Sequence, residues 1–224
     1  MGSINSSSNE VLSTFEYTKD GYLATEKDGS GDVVRTMTYD SFGRMTCINS
    51  TTFLYDSKGR MVKAATDDST TYYPSERYEV RVQATGSQSD SDAKSNSDSA
   101  SSTTTQIAYL VYQGRRASIS TSTDASGKSS QSSRYHHVDH LGSVIAVSDE
   151  SGTILTTYSY DDFGTATLTS GSDISFYKYS GKELFEGLYY YGARFYDPTV
   201  CIVVRIFQQS SLRLVLDWTV HRSR

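Results

Sequence analysis

Apolar and β-branched residues alternate with polar ones in short runs along much of this chain, and each run stops at a small polar cluster containing glycine. Val33-Val-Arg-Thr-Met-Thr-Tyr39, Met45–Tyr55, Met61–Ala65, Thr153–Tyr160 and Ile174–Tyr179 have the composition and the two-residue period of strands with one face covered. Ile107–Tyr112 adds a shorter run of the same type. Only Lys182–Leu188 has room for a helical turn, and it is too short to organise a domain. The pattern predicts an all-β chain.

The clusters between the runs repeat a form, Asp-x-x-Gly, at Asp40–Gly43, Asp56–Gly59, Asp124–Gly127, Asp149–Gly152 and Asp161–Gly164. A type I turn favours Asp at its first position, where the carboxylate accepts backbone N–H groups. It favours Gly at its fourth, where the chain turns left-handed. Each copy therefore predicts a hairpin tip. Tyr precedes the Asp in three copies (Tyr39, Tyr55, Tyr160), and Gly-Arg-Met follows in two, so the hairpins form a loose repeat.

Composition narrows the reading. The chain has 224 residues, 21 Lys+Arg against 26 Asp+Glu and a net charge of −5. That balance argues against a nucleic-acid face, which needs clustered cations. No apolar run reaches the roughly 18 residues of a membrane span. Tyr dominates the aromatics, 18 against 8 Phe and 1 Trp, and hydrophobic residues total only 36%. A core that thin leaves part of the chain unable to offset the entropy of ordering. The Ser/Thr/Asp-rich stretch 86–105 and the polar stretch Ser118–Ser133 are expected to be that part. Cys47 and Cys201 make no disulfide framework and read as two buried thiols or a single bridge.

Several blocks carry a resemblance. Tyr39-Asp-Ser-Phe-Gly-Arg-Met45 and Tyr55-Asp-Ser-Lys-Gly-Arg-Met61 resemble the tyrosine–aspartate (YD) repeats of the rearrangement-hotspot (RHS) family. Tyr135-His-His-Val-Asp-His-Leu-Gly-Ser143, Tyr158-Ser-Tyr-Asp-Asp-Phe-Gly164, Tyr179-Ser-Gly-Lys-Glu183 and Gly187-Leu-Tyr-Tyr-Tyr-Gly-Ala-Arg-Phe-Tyr-Asp-Pro198 resemble that family's repeat-associated core. The resemblance implies hairpins wound as a spiral sheet into a hollow, teneurin-like shell that encloses a toxin or effector. It implies a core segment that plugs the shell and, in toxin members, releases the cargo by self-cleavage at aspartates beyond the Asp-Pro motif. This chain departs from the family in having few repeats, in its Ser-rich insertion and in its C-terminus. There Asp197-Pro-Thr-Val leads to Val204-Arg-Ile-Phe rather than to a Gly-Arg-Phe block, and the next aspartate is Asp217.

Several motifs suggest other chemistry. His136-His-Val-Asp-His140 resembles a binuclear metal loop, but Tyr135 stands where the first ligand belongs, and no metal is expected. Lys27–Asp32 resembles a calcium loop, yet Met37 falls where the bidentate Glu should be, so a hairpin turn is expected. Gly181-Lys182 lacks the first glycine of a phosphate loop. Tyr189, Tyr190, Tyr191, Phe195 and Tyr196 have the flat faces that suit sugars, or else are amphipathic wall residues. Leu212 to Val220 alternates as a one-sided strand able to pair with another chain.

The expected organisation is a disordered 1–10, YD hairpins over 11–85, a flexible 86–134 with one strand, the core over 135–200 and a divergent 201–224. Tyr39, Asp40, Gly43, Arg44, Tyr55, Asp56, Gly59, Arg60, Asp161 and Gly164 are expected to set hairpins. His137, Asp139, His140, Leu141, Gly142, Ser143, Gly187, Leu188, Tyr189, Tyr190, Gly192, Ala193, Arg194, Tyr196, Asp197 and Pro198 are expected to fix the core. The expected function is a non-catalytic piece of a shell, with no cofactor, whose partners are the rest of the shell or its enclosed effector. The alternatives are a self-cleaving aspartyl segment using Asp197, or an extracellular module binding cell-surface glycans. No leader is visible in MGSINSSSNE; the resemblance alone points to export.

Overall fold

The structure, a computed structural model, describes residues 2–5, 11–84, 102–112, 115–192 and 194–204. Fifteen strands form one antiparallel sheet in which each strand pairs with its neighbours in sequence. They are β1 Gly2–Asn5, β2 Val11–Tyr17, β3 Leu23–Asp28, β4 Val33–Tyr39, β5 Met45–Ile48, β6 Thr51–Tyr55, β7 Met61–Ala65, β8 Ser69–Ser75, β9 Tyr78–Ala84, β10 Ser102–Tyr112, β11 Arg115–Thr123, β12 Ser129–Val138, β13 Val144–Ser148, β14 Ile154–Tyr160 and β15 Ala166–Gly171. A small second sheet follows: β16 Glu183–Phe185, β17 Leu188–Tyr190, β18 Phe195–Asp197 and β19 Ile202–Val204.

The all-β expectation holds, with corrections in detail. Met45–Tyr55 is two strands, because Asn49 turns left-handed (φ 51°) and its side-chain oxygen accepts the N–H of Thr36 at 3.0 Å. Ile174–Tyr179 contributes only a single bridge, Tyr177 to Glu183, since Tyr179–Gly181 forms a turn instead. The polar stretch Ser118–Ser133 is ordered as β11 and β12, and residues 102–105 belong to β10. Hydroxyl pairs across the ladder, Thr105 with Ser122 and Ser120 with Ser132 (both 2.9 Å), replace apolar contacts there. Gly2–Asn5 is a strand rather than part of a disordered start. Lys182–Leu188 forms a hairpin with a two-residue tip at Glu186 and Gly187, both left-handed. Cys47 and Cys201 are free thiols, half-buried and exposed. The rest of the Ser-rich insertion and Leu212–Val220 lie outside the described residues.

The main core joins the two sheets. Met37, Met45, Ile48, Phe53, Met61 and Ala64 from β4–β7 pack against Leu188 and Phe195 of the second sheet. Leu188 and its neighbour Tyr189 are both fully buried. Adjacent side chains of a strand point to opposite faces. Leu188 meets the β4–β7 cluster, while Tyr189 donates its hydroxyl to the Gly164 carbonyl at the β14–β15 tip (2.8 Å). Eleven strand spacings of about 4.8 Å put β4 and β15 roughly 50 Å apart in a flat sheet. A four-stranded unit is narrower than that by far. The long sheet therefore curls around the C-terminal unit and covers both of its faces.

Candidate functional site

The hairpin tips set the curl. At Asp40–Gly43, the Asp40 N–H donates to the Arg44 carbonyl (3.0 Å) and the Gly43 N–H to the Asp40 carbonyl (2.9 Å). Oδ1 of Asp40 accepts the N–H groups of Phe42 and Arg44, both at 2.9 Å. Asp56, Asp124, Asp149 and Asp161 repeat this arrangement. Two further copies, Asp28–Gly31 and Asp139–Gly142, have the same bonds. The first is the hairpin turn expected at Lys27–Asp32, and the second fits the same rule within the histidine-rich block. Register slips by one residue beside the tips of β2–β3, β4–β5, β6–β7 and β12–β13. Such bulges bend the ladder and deepen its twist.

The residues flanking each tip tie hairpin to hairpin. Tyr39, Tyr55 and Tyr160 donate their hydroxyls backward to the carbonyls of Leu23, Met45 and Val144 at 2.8, 2.7 and 2.6 Å. Each acceptor lies two residues past the glycine of the preceding tip on that rim. Arginine reaches forward: Arg44 pairs with Asp40 (2.7 Å) and donates to the Asp56 carbonyl (3.1 Å), while Arg60 reaches Asp56 and the Pro74 carbonyl. The tyrosine–aspartate–glycine–arginine order is thus a connector whose ends engage the hairpins on either side.

The histidines do not converge. His136 is buried against the Ser118 hydroxyl (3.1 Å), and burial followed by the Arg116 charge lowers its pKa to about 4. His137, on the opposite face of β12, meets Ser148 (2.9 Å), and His140 is an exposed tip residue. No metal-binding group of His, Cys, Asp or Glu occurs among the described residues. Ser143, fully buried, accepts the Ser180 N–H through Oγ at 3.0 Å and so pins the Tyr179–Gly181 turn to the wall.

Where the C-terminal unit docks on β8–β10, the seam is ionic and almost dry. Glu79 and Glu183 share one guanidinium, Arg81, whose Nη2 lies 2.9 Å from the first and 3.1 Å from the second. Phenol groups complete the shell. Tyr177 and Tyr109 donate to Glu79, and Tyr73 donates to Glu183 at 2.9 Å. Phe176 lies flat on Arg81, 3.3 Å from ring centre to guanidinium carbon. Two buried carboxylates facing one cation leave an excess negative charge. Burial and the neighbouring Glu79 charge accordingly raise the Glu183 pKa to about 7. Sequence reading missed all of this, because Glu79 and Arg81 carry no motif and their partner lies 102 positions away.

Asp197 is equally committed. It is 3% exposed; one oxygen pairs with Arg35 of β4, and the other accepts the Thr199 N–H at 2.9 Å, as a tip aspartate does. Glu26 sits 3.3 Å from the same Arg35, and burial pushes its carboxyl up. Pro198 is buried beside Asp197, Gly192 closes the β17–β18 turn, Arg194 is exposed, and Ala193 lies outside the described residues. Tyr189 is buried, Tyr190 packs on Phe195, and Tyr191 stands edge-on to Tyr196, so the tyrosine run offers no flat row of rings.

No family profile matches the chain. Among curated proteins, the tRNA3(Ser)-specific nuclease WapA of Bacillus spizizenii is 28% identical over 215 residues, covering 82% of this chain and 9% of the relative. The tRNA nuclease WapA of Bacillus subtilis is 26% identical with the same coverage. Among solved structures, TcdB2-TccC3-TEV aligns with a TM-score of 0.58 and 18% identity over 86% of this chain and 12% of that one. TcdB2-TccC3 without its hypervariable C-terminal region aligns with a TM-score of 0.55 and 21% identity over 86% of this chain and 9% of that one. The chain spans about a tenth of the length of these proteins. In its hairpin connectors and curled sheet, and by its likeness to these proteins, the chain resembles the RHS/YD-repeat proteins.

Proposed function

We infer that this segment is non-catalytic: it is wall and core of a shell that encloses a C-terminal effector polypeptide, the long sheet forming the wall and β16–β19 anchoring the core within its curve. The observation that carries the reading is the double burial of Leu188 and Tyr189, which puts the core unit inside the sheet and not on its outer surface. The connectors support it, since each uses one hairpin to fix the next and so builds a wall of any length. Partners would be the neighbouring hairpins of the same shell and the polypeptide it holds. The aspartyl self-cleavage alternative draws no support from Asp197, whose two oxygens are engaged.

Intact mass spectrometry of the purified 224-residue chain tests the non-catalytic part. One mass, unchanged over days and identical in kind for Asp197→Asn, is expected; a fragment ending between residues 197 and 217 that disappears in D197N would overturn it. Incubation with bulk tRNA, the substrate class in the relatives' names, is expected to leave the RNA intact. The enclosing role is tested in a full-length relative of known shell sequence carrying this segment's Glu79 and Glu183 equivalents as alanine. Loss of protease protection for the downstream polypeptide is expected, and unchanged protection would count against a core anchored this way.

A further inference from the structure

A cavity of about 370 Å³ opens beside the ionic seam, at the low end of the range for ligand pockets. Three cations line it: Arg60, Arg116 and Lys182. Arg60 is neutralised by Asp56, but neither Arg116 nor Lys182 has a carboxylate within 4 Å among the described residues. Arg116 lies face-on to Tyr177, 3.9 Å from the ring centre, and its Nη1 is buried without a hydrogen-bond partner among the described residues. A guanidinium nitrogen that has lost water without gaining an acceptor leaves its share of the charge uncompensated beside the cavity. Lys182 stands over Tyr191 at 5.0 Å, an orientation that holds the ammonium without neutralising it.

We propose that this cavity is a binding site for an acidic side chain of an extended peptide, its carboxylate set between Arg116 and Lys182. Two features select that chemistry. Met61, Tyr73, Tyr177 and Tyr190 also line the cavity, giving an apolar sleeve for a methylene stem. Glu76 lies on the same lining, and its charge repels a dianion more strongly than a monoanion. A phosphate dianion is thereby disfavoured relative to a carboxylate, although both are oxyanions. The inference stands on the cavity alone and does not depend on the shell reading.

Met61, which lines the cavity, reports occupancy through its methyl signal by NMR of the full chain labelled at methionine methyls. Titration with N-acetyl-glutamate amide is expected to shift that signal, and the neutral glutamine analogue to bind at least about tenfold more weakly, a difference worth about 1.4 kcal/mol. Inorganic phosphate is expected to bind more weakly than the glutamate probe. Arg116→Gln and Lys182→Gln should each weaken the glutamate response severalfold, with the remaining methionine signals unmoved. Because Arg116 also packs on Tyr177, K182Q decides the matter should R116Q disturb the fold. Equal response to the glutamate and glutamine probes, tighter binding of phosphate, no response at all, or an unchanged response in K182Q would each overturn the proposal.

Discussion

Glycine 164 shows how much a single tip residue carries. Its φ is +98°, and a Cβ there would lie 2.4 Å from the ring of Tyr179, which packs between Tyr160 and Tyr189. Gly142 has a similar φ of +85° but open space around it. Gly142→Ala therefore costs only left-handed strain, about 1 kcal/mol, whereas Gly164→Val adds a clash and is expected to cost roughly 3 kcal/mol or more. By the same logic G164V should lower the melting temperature more than His136→Ala, His137→Ala or His140→Ala. Thermal melts of the five variants check this, and a G164V midpoint equal to that of G142A would refute the packing role of the tip. The Asp-x-x-Gly rule is legible in the sequence because it is local: carboxylate, three residues, left-handed glycine. It marks five tips; a sixth, Asp28–Gly31, lies in the hairpin turn expected at Lys27–Asp32, and the seventh, Asp139–Gly142, obeys the same rule inside the histidine block. Glu79, Arg81 and Arg35 were illegible, because a buried charge is intelligible only once its distant partner is known.

Hairpins become a wall through the tyrosine hydroxyls, so Tyr55→Phe isolates one connector. It removes the donor to the Met45 carbonyl while leaving the ring in place, and about 1–2 kcal/mol of stability should be lost. Denaturant melts of Y55F against the parent measure it, and a change within error would show that the contact is incidental. Strand boundaries were partly legible. Alternation marked β4, β7 and β14, but β11 and β12 were hidden by serine and threonine, whose hydroxyls pair across the ladder in place of apolar side chains. The seam between wall and core has its own signature. Glu183 binds its proton more tightly folded than unfolded, its pKa rising from 4.5 to about 7. Its stabilising share is complete below about pH 4.5 and is lost as pH rises through 7. The tip aspartates act in the opposite sense. The Arg60 N–H on Asp56 and the Ser126 and Ser151 hydroxyls on Asp124 and Asp149 lower their pKa values, so their share is lost in acid. Stability should peak on the acid side of neutrality and decline by on the order of 2 kcal/mol from pH 5 to pH 8. Glu183→Gln should flatten that decline, and a decline of the same size in E183Q would assign it to another group.

For the molecule as a whole, the curled sheet around a small β-unit follows from contacts far apart in sequence. The resemblance to shell-forming repeats anticipated a long sheet of consecutive hairpins, but no run of residues disclosed which strands meet the C-terminal unit. Arg35 on β4, Thr51 on β6, Tyr73 on β8 and Gly164 beyond β14 all do so. A flat arrangement cannot satisfy these four together. Spin labels at Thr38→Cys on β4 and Thr167→Cys on β15, with Cys47 and Cys201 replaced by serine, read the distance directly by pulsed electron resonance; both sites are exposed and near the same rim. A narrow distribution well below the roughly 50 Å of a flat sheet is expected. A distance at or above that value would mean that the sheet does not close around β16–β19.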